Sequence, residues 1–275
     1  MEATKGIFLS FVHYPQKIML NSRYLALKLM RANHKLILVF FLFSSLSLIF
    51  CHLSYCFSLH GDSQHYEKLR CKMVNQQIAA RGIYDKKVLQ AMRDVPRHLF
   101  VPERRRSSAY GDSALPIGYG QTISQPYIVA LMTEWLEPER DDIALEVGTG
   151  SGYQAAVLSQ IVKKVYTVEI ITPLGKAAGK RLNEMGYNNI IVKVDDGYFG
   201  WEQHSPFDCI IVTAASDHIP PPLIKQLKKG GKMAIPVGKP FQVQKLMLVE
   251  KSEEGEIRIK NLLPVRFVPL RRVQR

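Results

Sequence analysis

Between Asp142 and Val237 short apolar runs alternate with helix-patterned segments, and this alternation constrains the fold more than any other feature of the chain. Ile143–Val147 reads as a buried strand and 153–162 as a helix. Residues 165–170 are a strand again, and 173–185 a helix stopped by Gly186. Ile190–Val194 and 209–213 follow as strands. A short helix over 223–229 ends at Gly230-Gly231, a strand covers 232–237, and 245–250, 256–261 and 264–270 read as late strands. Strands joined through helices run parallel, because a parallel pair cannot be closed by a tight turn. The expected fold is α/β: a doubly wound Rossmann-like sheet with helices on both faces.

Upstream the pattern changes. Leu69, Met73, Val74 and Ile78 have near-helical spacing over 66–80, and Asp85 can cap a second helix stopped by Pro96. A loop-rich stretch with Gly111, Gly118 and Gly120 precedes Ser124 and Pro126, which open a third helix. The chain thus divides into an extension (1–60), a helical and loop region (61–140) and an α/β core (141–275), the last two forming one compact domain.

From Leu36 to Leu59 there is no Asp, Glu, Lys or Arg, and about 20 apolar residues suffice to cross a bilayer. Lys28, Arg31 and Lys35 precede this stretch, as at a cytoplasmic flank or the start of a signal peptide. Three readings compete: a signal anchor giving membrane contact through 36–59, a long signal peptide, or a non-structural extension before a later start such as Met73. Lys and Arg outnumber Asp and Glu by 37 to 24, a net charge of +13 that is not confined to the extension. Such a balance suits nucleic acid, anionic lipid or acidic peptide without choosing among them. Cys51, Cys56, Cys71 and Cys209 form no Cys-x-x-Cys pair, so no metal site is expected.

Glu146-Val147-Gly148-Thr149-Gly150-Ser151-Gly152 follows the first core strand. Its glycines let the backbone turn tightly and approach a ligand. Glu169 ends the next strand about 20 residues on, where a carboxylate can accept from ribose hydroxyls. A dinucleotide fingerprint needs Gly or Ala at position 153, where Tyr153 stands. The order acid-x-Gly-x-Gly-x-Gly instead resembles the first motif of class I S-adenosylmethionine methyltransferases. That resemblance implies S-adenosyl-L-methionine as cofactor, held by Glu146, Gly148, Thr149, Gly150, Gly152 and Glu169, with Asp196 and Gly197 at the adenine amino group.

Signatures of base methylation are missing: Thr213-Ala214-Ala215-Ser216 replaces an Asn/Asp-Pro-Pro-aromatic motif, and Cys209 follows Asp208 rather than Pro. No nucleic-acid partner is expected. Residues 95–102 and 116–127, the latter containing Gln121-Thr122-Ile123-Ser124-Gln125-Pro126, closely resemble the protein-L-isoaspartate O-methyltransferases, and the resemblance continues in order over about 66–270. It implies a cytoplasmic, monomeric repair enzyme that methylates the α-carboxylate of L-isoaspartyl residues in damaged proteins. The ester then closes to a succinimide that reopens partly to aspartate. Ser124 is implied as the catalytic hydroxyl orienting the acceptor, with Thr122 and Ile123 on the substrate; Thr213, which ends a strand facing the cofactor cleft, is expected to touch the substrate as well. A carboxylate is already ionised at neutral pH, so alignment can supply most of the catalysis without a strong base. Ser124 would equally serve as a helix N-cap, and His98 is expected to be structural. Two other readings stand beside this one: a methyltransferase of another carboxylate or small molecule, and a non-catalytic, membrane-tethered cofactor-binding protein. The ends depart from the family, in the hydrophobic extension (which would anchor or export the chain) and in the basic Arg271-Arg272-Val273-Gln274-Arg275.

Overall fold

Residues 64–273 are described by a computed structural model; the 36–59 stretch and its competing readings lie outside the described residues. A hairpin of β1 (Leu115–Gly118) and β2 (Gln121–Ile123) precedes β3 (Ile143–Val147), β4 (Lys164–Glu169), β5 (Ile190–Val194), β6 (Phe207–Val212), β7 (Leu227–Val237), β8 (Gln244–Lys251) and β9 (Ile257–Val265). Helix α1 spans 64–73. It is followed by α2 (Lys86–Asp94), α3 (Pro126–Trp135), α4 (Tyr153–Ser159), α5 (Thr172–Glu184) and α6 (Pro221–Gln226).

The strands from β3 onward form one sheet in the order β5-β4-β3-β6-β7-β8-β9. Pairings among the first five are parallel, as expected of strands joined through helices. The late strands depart from that expectation. β8 and β9 are antiparallel, because short turns join them; one closes where Gly255, at φ 98°, lets Ser252 N–H reach Glu256 O at 2.8 Å. The predicted strands at 256–261 and 264–270 are instead one strand, β9, with a register break opposite Leu246 and Met247, after which Pro269 makes a single bridge to Ala215. The predicted helix over 223–229 ends at Gln226, since Leu227 turns extended and pairs with Phe207. Among the described residues no helix is long and apolar enough to cross a membrane.

Alternate residues of each central strand feed opposite faces. Cys209 and Ile211 enter the core beneath α2, α3 and α4, while Ile210 and Val212 enter a second core with Leu223 and Met233. The helical additions pack on the sheet through apolar contacts and are tied to one another by polar ones. Asp85 caps α2, its Oδ1 accepting from Lys87 N–H at 2.7 Å and Val88 N–H at 3.1 Å. Glu134 of α3 accepts from Tyr84 and Asp85 N–H, both at 2.7 Å.

Asp85→Ala is expected to lower the unfolding free energy by about 1 kcal/mol, the usual value of an N-cap. An unchanged urea midpoint would show that the cap is dispensable.

Candidate active site

β3 is flanked by β4 on one side and β6 on the other, so the chain leaves its carboxyl end in opposite directions and opens a crevice there. The loop after β3 turns through left-handed backbone at Gly148 (φ 98°), Gly150 (φ 53°) and Gly152 (φ 87°). A Cβ at Gly148 would stand 2.5 Å from Thr213 Oγ1. That hydroxyl donates to Gly148 O at 2.6 Å, and Thr213 N–H donates to Val147 O at 2.9 Å. Gly150 N–H donates to Glu169 Oε2 at 2.7 Å, and Ile171 N–H to Oε1 at 2.9 Å. Gly148, Gly150, Glu169, Gly197 and Thr213 therefore line one cleft. Gly152 stays off it: it begins α4 with its α-carbon against Leu182, where a Cβ would meet Cδ1 at 3.1 Å.

Glu146 lies beneath the loop, fully buried. Thr167 donates its hydroxyl to Glu146 Oε2 at 2.5 Å, Thr149 Oγ1 lies 2.6 Å from Thr167 Oγ1, and Glu146 Oε1 has no hydrogen-bond partner. Burial pushes the Glu146 carboxyl up to about 8; the Thr167 hydrogen bond opposes the rise and the charge of Glu169 adds to it. The side chains of Glu146 and Thr149 thus brace the loop from below.

The β1–β2 hairpin covers the loop from above, Ile117 Cδ1 lying 3.3 Å from the position of a Cβ on Gly150. Thr122 lines the cleft, a small cavity beside Gly148, Thr149 and Ser151, and a separate groove toward α3; Ser124 lines the last two. Neither side-chain hydroxyl has a hydrogen-bond partner among the described residues. Ser124 is not the cap: Gln125 occupies that position, without a side-chain bond, and Pro126 begins α3. Ile123 is buried and pairs with Leu115.

Two parts of this arrangement were not anticipated from the sequence. Arg97 is completely buried; its Nη2 donates to Ser124 O at 2.7 Å and its Nε to Ala109 O at 2.8 Å, with the guanidinium 4.8 Å from the Tyr153 ring centre. An arginine beside a histidine reads as surface, and only its place in the 95–102 motif marked it. The C-terminal segment roofs the cleft through Leu270 N–H to Ala215 O at 2.7 Å and Ala215 N–H to Val268 O at 2.8 Å. Arg272 Nε then donates to Asp196 Oδ2 at 3.0 Å, Val273 N–H reaches the same oxygen at 3.2 Å, and the guanidinium lies 3.5 Å from the Tyr198 ring centre. Gly197 packs on Val147, whose Cγ1 is 2.6 Å from a Cβ built there. His98 serves the core, its Nδ1 2.7 Å from the Tyr110 hydroxyl and its ring stacked on Tyr66. Burial first, then the charges of Arg70 and Arg106, press its pKa down to about 4, so it is a neutral structural group.

The switch-point cleft, the glycine turn and the carboxylate ending β4 define a Rossmann-like methyltransferase fold. Residues 68–275 match the sequence profile of the protein-L-isoaspartate(D-aspartate) O-methyltransferase family. Protein-L-isoaspartate O-methyltransferase 1 of Nitrosospira multiformis is 56% identical over 212 residues, covering 76% of this chain and 90% of that protein. Protein-L-isoaspartate O-methyltransferase 2 of Syntrophobacter fumaroxidans is 59% identical over 186 residues, covering 68% and 75%. A solved protein-L-isoaspartate O-methyltransferase superposes with a TM-score of 0.63 at 30% identity, over 74% of this chain and 65% of that one. A Plasmodium falciparum structure holding S-adenosyl-L-homocysteine shares the fold at 24% identity, with a TM-score of 0.62 over 74% and 98%. The chain belongs to the protein-L-isoaspartate(D-aspartate) O-methyltransferase family and is an S-adenosylmethionine-dependent methyltransferase.

The raised carboxyl of Glu146 sets a pH dependence. Between the ordinary carboxylate range and about 8, the folded protein holds a proton that the unfolded chain releases, so stability falls as pH rises through this window. Glu146→Gln, which cannot ionise, is expected to show a flatter decline in thermal midpoint between about pH 4.5 and 8. Parallel profiles for the two proteins would rule out a neutral Glu146.

Proposed function

We propose that the chain transfers a methyl group from S-adenosyl-L-methionine to the α-carboxylate of L-isoaspartyl residues in damaged proteins, with Thr122 and Ser124 orienting the acceptor. The observation that carries this assignment of roles is the pair of unpartnered hydroxyls on the wall between the glycine cleft and the groove.

The cleft suits the cofactor because Gly148 presents bare backbone and Glu169 is held by two N–H donors with lone pairs to spare for ribose hydroxyls. Gly150 and Gly197 leave room beside it, while Glu146 and Thr149 support the loop from beneath. Asp196 would meet the adenine amino group at an oxygen that Arg272 and Val273 engage, so the tail and the cofactor share one acceptor. When bound, the cofactor supplies an activated methyl on a sulfonium. The acceptor carboxylate is itself the nucleophile, so no residue has to remove a proton. Ser124 and Thr122 donate hydrogen bonds that fix the attacking oxygen in line, and alignment provides the rate gain. Arg97, by holding the Ser124 carbonyl, positions that hydroxyl. Thr213 spends its own hydroxyl on Gly148 O and shapes the floor between the two reactants.

In this reading residues 61–140 bring the acceptor wall and 141–275 the cofactor side. The protein acts as a monomer on damaged proteins and peptides, without nucleic acid, in the cytoplasm where the methyl donor is made.

Labelled cofactor should methylate an isoaspartyl peptide and leave its aspartyl twin unlabelled; equal labelling of both would overturn the repair assignment. Ser124→Ala is expected to lower kcat about a hundredfold, the scale of one lost positioning donor. Its affinity for S-adenosyl-L-homocysteine should stay within about twofold, and full turnover would remove Ser124 from the reaction.

A further inference from the structure

A groove of about 400 Å³ leads away from Thr122 and Ser124, between Tyr127 and Ile128 of α3 and the segment 263–267 at the end of β9. Two basic residues line it, Arg81 and Arg266, and no acidic residue does. Arg81 is already neutralised, with Nη1 2.9 Å from Asp112 Oδ2 and its guanidinium 3.6 Å from the Tyr127 ring centre. Arg266 is exposed and has no ion pair or hydrogen bond among the described residues. A free cation beside a groove wall without acids creates a positive potential that an anionic side chain can satisfy.

The chain on at least one side of an isoaspartyl residue has to leave the acceptor position, and this groove starts at the two hydroxyls that hold the acceptor. We propose that the groove receives the peptide flanking the isoaspartyl residue, and that Arg266 selects flanks bearing a carboxylate side chain. The inference rests on the repair reading above and adds to it a preference for acidic neighbours. Ile128, Leu263 and Phe267 supply apolar walls for the stem of such a side chain, while Arg266 at the solvent side meets its charge. The flanking carboxylate is a second anion, distinct from the α-carboxylate that is methylated.

The test uses the full chain and two series of isoaspartyl peptides, varied to Glu, Gln or Lys at one residue on the amino or the carboxyl side of the damage. In one series the Glu peptide should have a KM about threefold to fivefold below its Gln twin, the upper range for an exposed ion pair, with the gap closing as salt is added. Arg266→Gln should make the three peptides equivalent, and Arg266→Glu should invert the order in favour of Lys. A purely structural role for Arg266 would move all three KM values together, and that result, or the absence of any preference in the unaltered protein, overturns the proposal. Failure to methylate any isoaspartyl peptide would instead overturn the repair reading, and this inference with it.

Discussion

The bond from Gly150 N–H to Glu169 ties the ends of β3 and β4 together, and the geometry of the site depends on it. A left-handed turn in the middle of a glycine loop has little intrinsic stability, since glycine loses more conformational freedom on folding than any other residue. The loop keeps its shape because it is anchored on three sides. Glu169 accepts from above β4, Thr213 donates to Gly148 O from the end of β6, and the Glu146–Thr167–Thr149 network lies underneath. The anchors come from β4, from the end of β6 and, for the network underneath, from β3 and β4 together. The site's shape is therefore a consequence of strand order, and no local sequence could produce it alone.

The acceptor side is built by a different principle. β1 and β2 are only four and three residues long, too short to stand as an isolated hairpin. They are held by Ile117 against the glycine loop and by Arg97, which reaches across the α2–α3 connection to the Ser124 carbonyl at its far end. Burying a guanidinium is costly unless its donors are met. Here two carbonyl acceptors and the face of Tyr153 offset that cost, although Nη1 has no hydrogen-bond partner. Such an arrangement fixes one position for the wall that carries Thr122 and Ser124, the condition for catalysis by alignment.

The extent to which these features were legible in the sequence follows from how local their causes are. The parallel core, the glycine turn, the cap at Asp85 and the stop at Gly186 depend on residues within a few positions of one another, and the pattern marks them. The antiparallel finish at β8 and β9 was not marked, because apolar alternation is the same for either direction; direction is decided by the short turns. Ser124 looked like a helix cap because Ser-x-Pro commonly is one, yet its oxygen is left free and Gln125 takes the cap position. Thr213 reads as a substrate contact from its place at a strand end, and the bond its hydroxyl makes to Gly148 O, which fixes the loop, carries no sequence signal. Arg97 and Arg272 escaped notice for the same reason as each other. Their partners lie 27 and 76 residues away, and charge carries no periodicity from which such a pairing can be read.

The net charge, which did not choose a partner by itself, gains meaning from its placement. Arg81 and Arg266 line the groove beside the acceptor hydroxyls, and Arg271 and Arg272 border the cleft roof, with Arg271 on Tyr119 O at 3.2 Å. A cationic methyl donor and an anionic acceptor attract each other, but in an open site that attraction is screened over about 8 Å at physiological salt. In the proposed reading Arg266, on the acceptor side, draws the carboxylate in without competing for the sulfonium, while Glu169 lies on the donor side. The wall that carries Thr122 and Ser124 stands between Arg266 and Glu169. On that reading a carboxylate arriving along the groove meets positive charge first and the hydroxyls second, and reaches the methyl group already oriented.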